Sequence, residues 1–132
     1  MIGSEFPSWP CFTHDEAKAV ADVLLSNRVN YWTGNEGREF EREFAEAVGC
    51  THAVAVANGT VALELALKVL GVGNGDEVIV TPRTFMASAS AIVNAGAKPV
   101  FADVDRESQN ITADSIRPVL TERTRAIICV HL

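Results

Sequence analysis

The feature that most constrains this chain is an alternation that begins near His52. Short apolar runs, AVAVA, EVIVT, PVFADV and AIICV, are separated by stretches of helical spacing around residues 61–70, 86–94 and 113–120. Runs this short and this rich in Val, Ile and Ala read as buried strands rather than helices. The order strand, helix, strand, helix, strand, helix, strand predicts crossover connections, and crossovers make neighbouring strands parallel. The expected fold class is therefore α/β, a mostly parallel sheet with helices on both faces, whose default binding edge lies at the carboxyl ends of the strands.

What precedes the alternation is different in kind. MIGSEFPSWP carries two prolines, so residues 1–12 are expected to form an extended arm. Thr13 is a good N-cap with Glu16 at capping-box spacing, and Ala17, Val20, Ala21, Leu24 and Leu25 follow with helical periodicity, which predicts a helix over 15–26. Residues 27–37 hold two Gly and three Asn around Tyr31 and Trp32, a loop whose large aromatics invite a binding role. A second helix carries Phe40, Phe44, Ala47 and Val48 as an apolar stripe, with Glu and Arg on its solvated face and Gly49 as its stop. The expected organisation is an arm at 1–12, helices at 13–50, and the alternating region at 51–132.

Composition narrows the function classes. At 132 residues the chain can bury one ordinary core. Eleven Lys and Arg against 17 Asp and Glu, interspersed, leave a net charge of -6, which argues against nucleic acid as a partner. No apolar run approaches the roughly 18 residues of a membrane span, and no signal pattern opens the chain, so a cytoplasmic protein without membrane association is expected. Cys11, Cys50 and Cys129 are widely spaced, as are His14, His52 and His131, so neither a disulfide framework nor a metal site is expected.

Two junctions could carry chemistry. At Ala57-Asn58-Gly59-Thr60 an apolar run meets a helix; Gly59 lets backbone N–H groups approach a ligand, Thr60 adds a hydroxyl, and the helix turns its positive end to the same point, a geometry suited to phosphate. Taken alone, these residues fit a plain turn capped by Thr60 still better. After EVIVT, Pro82 stops the strand and Phe85 precedes a helix of small residues, Ala87-Ser88-Ala89-Ser90-Ala91. The ring could stack on a flat cofactor, and a core aromatic is the simpler reading. Asp103 and Asp105 read as solvated turn residues.

The series YWTG, FEREFAEAVG, VANGTVALELAL, GDEVIVTPRTFMASASAIVNAGAKPVFADVD and NITADSIRPVLTERTRAIICVHL closely resembles the amino-terminal portion of the pyridoxal-phosphate-dependent sugar aminotransferases of the DegT/DnrJ/EryC1/StrS family. The resemblance runs from about Phe6 to the last residue. It implies part of the large domain of a fold-type I transferase, a homodimer with sites at its interface, and transfer of an amino group from glutamate to a nucleotide-linked keto sugar. It assigns Gly59 and Thr60 to the cofactor phosphate and Phe85 to the face of the pyridine ring. Tyr31, Trp32 and Thr33 fall in a segment that approaches substrate, and Arg83, beside the stacking residue, is a candidate for substrate phosphate or a solvent-facing side chain.

In the resembling family, the aspartate that pairs with the pyridinium nitrogen and the lysine that forms the Schiff base follow the VHL segment. The 132 residues hold only Lys18, Lys68 and Lys98, none in such a motif, so no catalytic residue is assigned and no turnover by these residues alone is expected. The other class to weigh is a non-catalytic phosphate-binding or oligomerising module of the same fold. The uncharged run at 126–130 is also expected to leave an open edge or apolar face and to drive self-association into a homo-oligomer.

Overall fold

The computed structural model describes residues 9–131. Most of the expected arm, residues 1–8, lies outside that range, and residues 9–12 lead without helix into Thr13. The described chain divides into two compact units, one ending at Ala55 and one beginning at Val56.

The first unit holds two helices. α1 (His14–Leu25) starts at Thr13, whose hydroxyl accepts the Glu16 N–H while the Glu16 carboxylate accepts the Thr13 N–H at 2.6 Å. That reciprocal pair is the capping box the spacing predicts. α2 (Glu36–Val48) ends at Gly49, which takes the left-handed conformation at φ 71° that glycine adopts without a Cβ penalty. Arg42 fans out to Glu39, Glu43 and Glu46, so the charged face is solvated as its sequence suggests. Phe40 and Phe44 pack on each other with ring centroids 5.7 Å apart, while Ala45 is the buried residue of this helix.

The second unit runs α3 (Gly59–Val69), β1 (Glu77–Val80), α4 (Ala87–Asn94), β2 (Lys98–Phe101), α5 (Ala113–Ile116) with a 3-10 turn at Arg117–Val119, and β3 (Thr124–Ile128). The strands form a parallel sheet in the order β2-β1-β3. Central β1 is buried along its whole length. On one face Val78 and Val80, with Ala126 and Ile128 of β3, meet Leu63 and Leu67 of α3 and Ala91 and Ile92 of α4. Each fully buried Val or Ile is worth about 1.5–3 kcal/mol, so this cluster is the main source of the unit's cohesion. Ile79 points to the opposite face and is also fully buried, whereas Ile127, its neighbour in register, is 42% exposed.

One expected strand does not form. AVAVA, at 53–57, pairs with none of the described strands, and Val54 and Val56 are exposed. The Ala55 N–H instead donates to the Glu41 carboxylate at 2.8 Å. An apolar pattern records a preference for burial, but a strand also requires a partner ladder, and the described sheet supplies none to this segment. The sheet therefore has three strands where the pattern suggested four. No helix among the described residues is long and apolar enough to cross a membrane.

Candidate functional site

The connections fix which ends of the elements meet. α3 ends at Val69 and a short turn leads into β1, so α3 runs opposite to β1 and its amino terminus lies at the strand's carboxyl edge. α4 leaves that same edge and returns to the start of β2. Packing of α3 on α4, with the Asn94 amide donating to Glu64 at 2.6 Å, holds the two helices side by side. Two helix amino termini, at Gly59 and at Ala87, thus share one edge of the sheet, where their partial positive charges add.

At the first terminus the N-cap is Asn58, whose side-chain oxygen accepts the Val61 N–H at 3.0 Å. Sequence reasoning gave that role to Thr60; the structure corrects it, because Asn58 has the extended backbone an N-cap requires and Thr60 already lies within the helix. The correction releases the Thr60 hydroxyl. The Gly59 and Thr60 N–H groups and that hydroxyl have no hydrogen-bond partner among the described residues. A Cβ built on Gly59 would meet nothing within 4 Å, so the surface above these donors is open.

At the second terminus Phe85 is 78% exposed and takes no part in the core, which sets aside the simpler reading of a core aromatic. Below it the turn is firm: buried Thr81 accepts the Arg83 N–H at 3.1 Å, and the Thr84 and Ser88 hydroxyls lie 2.8 Å apart. The Arg83 guanidinium bonds the side-chain carbonyl of Gln109, in the loop after β2. Gln109 has φ 59° and its amide donates to the Arg106 carbonyl at 2.6 Å. Thr81 lies in the run EVIVT, which announces a strand and not a turn acceptor, and Gln109 lies outside every sequence motif, since a left-handed Gln carries no glycine-like signal.

Asp105 is a turn residue, as expected. Its carboxylate accepts the Ser108 and Glu107 N–H groups at 2.8 and 3.2 Å, and the Ser108 bond foremost holds its pKa below the ordinary value. Asp103 accepts the N–H of Val104 at 2.8 Å. Tyr31, Trp32 and Thr33 belong to the first unit. There the Tyr31 hydroxyl donates to Glu41 at 3.0 Å, the Arg38 guanidinium lies 4.8 Å from the Tyr31 ring centroid, and the Thr33 hydroxyl donates to Asn30.

Similarity to known proteins covers nearly the whole chain. An aminotransferase from Psychrobacter cryohalolentis is 61% identical and superposes with a TM-score of 0.92 over 96% of this chain and 32% of its own. A Streptococcus pneumoniae protein described as a sugar aminotransferase, solved in a PLP form, is 37% identical with a TM-score of 0.80, over 89% of this chain and 30% of its own. GDP-perosamine synthase of Escherichia coli O157:H7 is 43% identical over 93% of this chain and 34% of its own length. The chain thus spans about a third of the length of the relatives it matches. The family model matches residues 10–132, and the chain belongs to the DegT/DnrJ/EryC1/StrS aminotransferase family.

Proposed function

We propose that this chain carries the cofactor-phosphate and ring-stacking part of a pyridoxal-phosphate-dependent aminotransferase that moves an amino group from glutamate to a nucleotide-linked keto sugar. The observation that supports this best is the shared edge: unpartnered N–H and hydroxyl donors at Gly59 and Thr60, and an exposed aromatic ring at Phe85, stand at the amino termini of two packed helices. Those groups match a ligand with a phosphate at one end and a flat apolar ring at the other. Gly59 and Thr60 would bind the phosphate, and Phe85 would cover one face of the ring and exclude water from it. When bound, the cofactor supplies the conjugated ring that takes up electrons while nitrogen and a proton move. In the balanced exchange glutamate leaves as 2-oxoglutarate and the sugar ketone becomes an amine. A relative named for a GDP-linked sugar supports a nucleoside diphosphate as the carrier.

The lysines of the second unit do not suit the reaction. Lys68 is in the last turn of α3 and Lys98 begins β2, so both belong to the amino end of the sheet, opposite Gly59 and Phe85. We therefore infer that the 132 residues by themselves do not turn over, and that binding is the property to measure. Calorimetric titration of the chain with pyridoxal phosphate and with pyridoxal tests the reading. Tighter binding of the phosphate ester is expected, and equal affinities would leave a turn with no cofactor role.

A further inference from the structure

Phe85 is 78% exposed, so its place depends on the turn at 81–86 rather than on packing. Within that turn the Thr81 hydroxyl accepts the Arg83 N–H at 3.1 Å, and the Ser88 N–H, at the start of α4, donates to the Phe85 carbonyl at 3.0 Å. The Arg83 guanidinium reaches outside the turn, 26 positions along the chain, to the side-chain carbonyl of Gln109. The bond joins the loops that follow β1 and β2, two neighbouring parallel strands. With a charged donor it is stronger than a neutral hydrogen bond.

The loop that carries Gln109 holds this acceptor still. Val104 and Ile111 pair across its base, the Asp105 N–H donates to the Asn110 carbonyl at 2.8 Å, and the Gln109 N–H donates to the Asp105 carbonyl at 2.9 Å. The Gln109 side-chain nitrogen donates to the Arg106 carbonyl at 2.6 Å, which leaves its oxygen for the guanidinium; the reverse orientation would set donor against donor. Gln109 also stands at φ 59°, a backbone that glycine adopts freely and glutamine does not, so it is the side chain that calls for a glutamine there. We propose that Gln109 is a positioning residue: acting through Arg83, it holds the turn after β1 so that Phe85 stands ready for the flat ring of the cofactor. Neither Gln109 nor Arg83 touches the cofactor. A turn already ordered loses less freedom when a ligand arrives, so the bond acts on affinity without a contact of its own. The role rests on the cofactor reading of Phe85 proposed above and adds what keeps that ring in place.

Gln109→Gly tests the role, because glycine takes φ 59° without a Cβ penalty and the loop keeps its backbone bonds. Its Tm should hold or rise. Hydrogen exchange of the Arg83 and Ser88 amides, which bond within the turn, should quicken about two- to fivefold, the range for an exposed charged contact, while the Ala102 amide, bonded to the Val80 carbonyl, keeps its rate. By calorimetry, pyridoxal phosphate and pyridoxal should weaken by one common factor of about that size, because the ring contact is disturbed and the phosphate contact is not. Arg83→Ala should do the same, and adding Gln109→Gly to it should change nothing more, since both remove one bond. Unchanged exchange at the two amides refutes the role, and the cofactor reading then stands by itself if pyridoxal phosphate still binds better than pyridoxal. A lowered Tm with faster exchange throughout the unit makes Gln109 a residue of the fold and also refutes it. A lost preference for the phosphate ester places Arg83 against the phosphate and refutes it too. If exchange quickens as expected while the wild type binds both ligands equally, Gln109 is upheld as the residue that holds the turn, and the cofactor reading falls.

Discussion

Gly59→Ala separates a ligand-binding glycine from a structural one, because the two roles predict opposite signs. Gly59 is the first residue of α3, its φ is not left-handed, and a Cβ there meets nothing within 4 Å. Alanine at such a position should stabilise by about 0.4–1 kcal/mol, chiefly by restricting the unfolded chain. For a chain of this length that is a rise in Tm of about 1–4 °C. A phosphate held by the Gly59 and Thr60 N–H groups must come against the Gly59 Cα, and a methyl there displaces it. Losing one hydrogen bond to a charged phosphate corresponds to about 1.5–3 kcal/mol, or roughly ten- to a hundredfold in affinity. Thermal melts should therefore improve while the preference for pyridoxal phosphate over pyridoxal shrinks towards one. A Tm lowered by several degrees would mean that the glycine is required by the fold. An unchanged preference would mean that the phosphate does not sit on this turn.

Phe85→Ala should change stability by less than about 0.5 kcal/mol, since the ring is outside the core, while weakening pyridoxal phosphate about two- to tenfold by titration; a large loss of stability would make Phe85 a packing residue. Glu77, 2% exposed, is held down to a pKa of about 2, first by the Thr121 hydroxyl and then by Arg123, with Lys98 adding to them against desolvation. A carboxyl with a lowered folded-state pKa stabilises above its ordinary value of 4.5, and that contribution disappears as the pH falls from there towards 2. Acid melts of Glu77→Gln should accordingly start from a lower Tm at pH 7 and decline less steeply across that window than the wild type, and parallel curves would contradict the assignment. Among the described strands, β2 and β3 each leave an outer edge unpaired and Ile127 stays partly exposed, so the 132-residue chain should self-associate at micromolar concentration. A folded, strictly monomeric species by sedimentation would refute that expectation.

Local signals gave the elements, and contacts between distant residues decided the rest. The Thr13 and Glu16 capping box, the left-handed Gly49 and the run at 77–80 each announce themselves within a few residues. AVAVA carries as strong a strand pattern as EVIV, yet EVIV finds a neighbour on each side and AVAVA finds none. Pairing is a property of two segments, so no reading of one segment establishes it. The site behaves likewise: Gly59, Thr60 and Phe85 stand out in the sequence, whereas nothing local distinguishes Asn58 as the cap from Asn58 as a turn residue, and Gln109 belongs to no pattern at all.

The two ends of the sheet divide stability from binding. At the amino end the carboxylates are partnered: Glu77 gathers Thr121, Arg123 and Lys98, and Asp76 accepts the Gly73 N–H at 2.9 Å. Gly96, at φ 84°, lets Asn74 approach where a Cβ would stand 2.9 Å from its side-chain oxygen. A buried carboxylate is tolerable only when satisfied in this way, and once satisfied it ties β1 to residues 44 and 46 positions further along the chain. At the carboxyl end the Gly59 and Thr60 donors have no partner among the described residues and Phe85 is exposed. Water satisfies exposed donors, so the groups at the carboxyl end are free to exchange water for a ligand, while the fixed contacts that hold the unit together are concentrated at the other end. Substitutions at Glu77 and at Gly59 should therefore move different observables, stability for the first and ligand affinity for the second, and that separation follows from the strand direction shared by β1, β2 and β3.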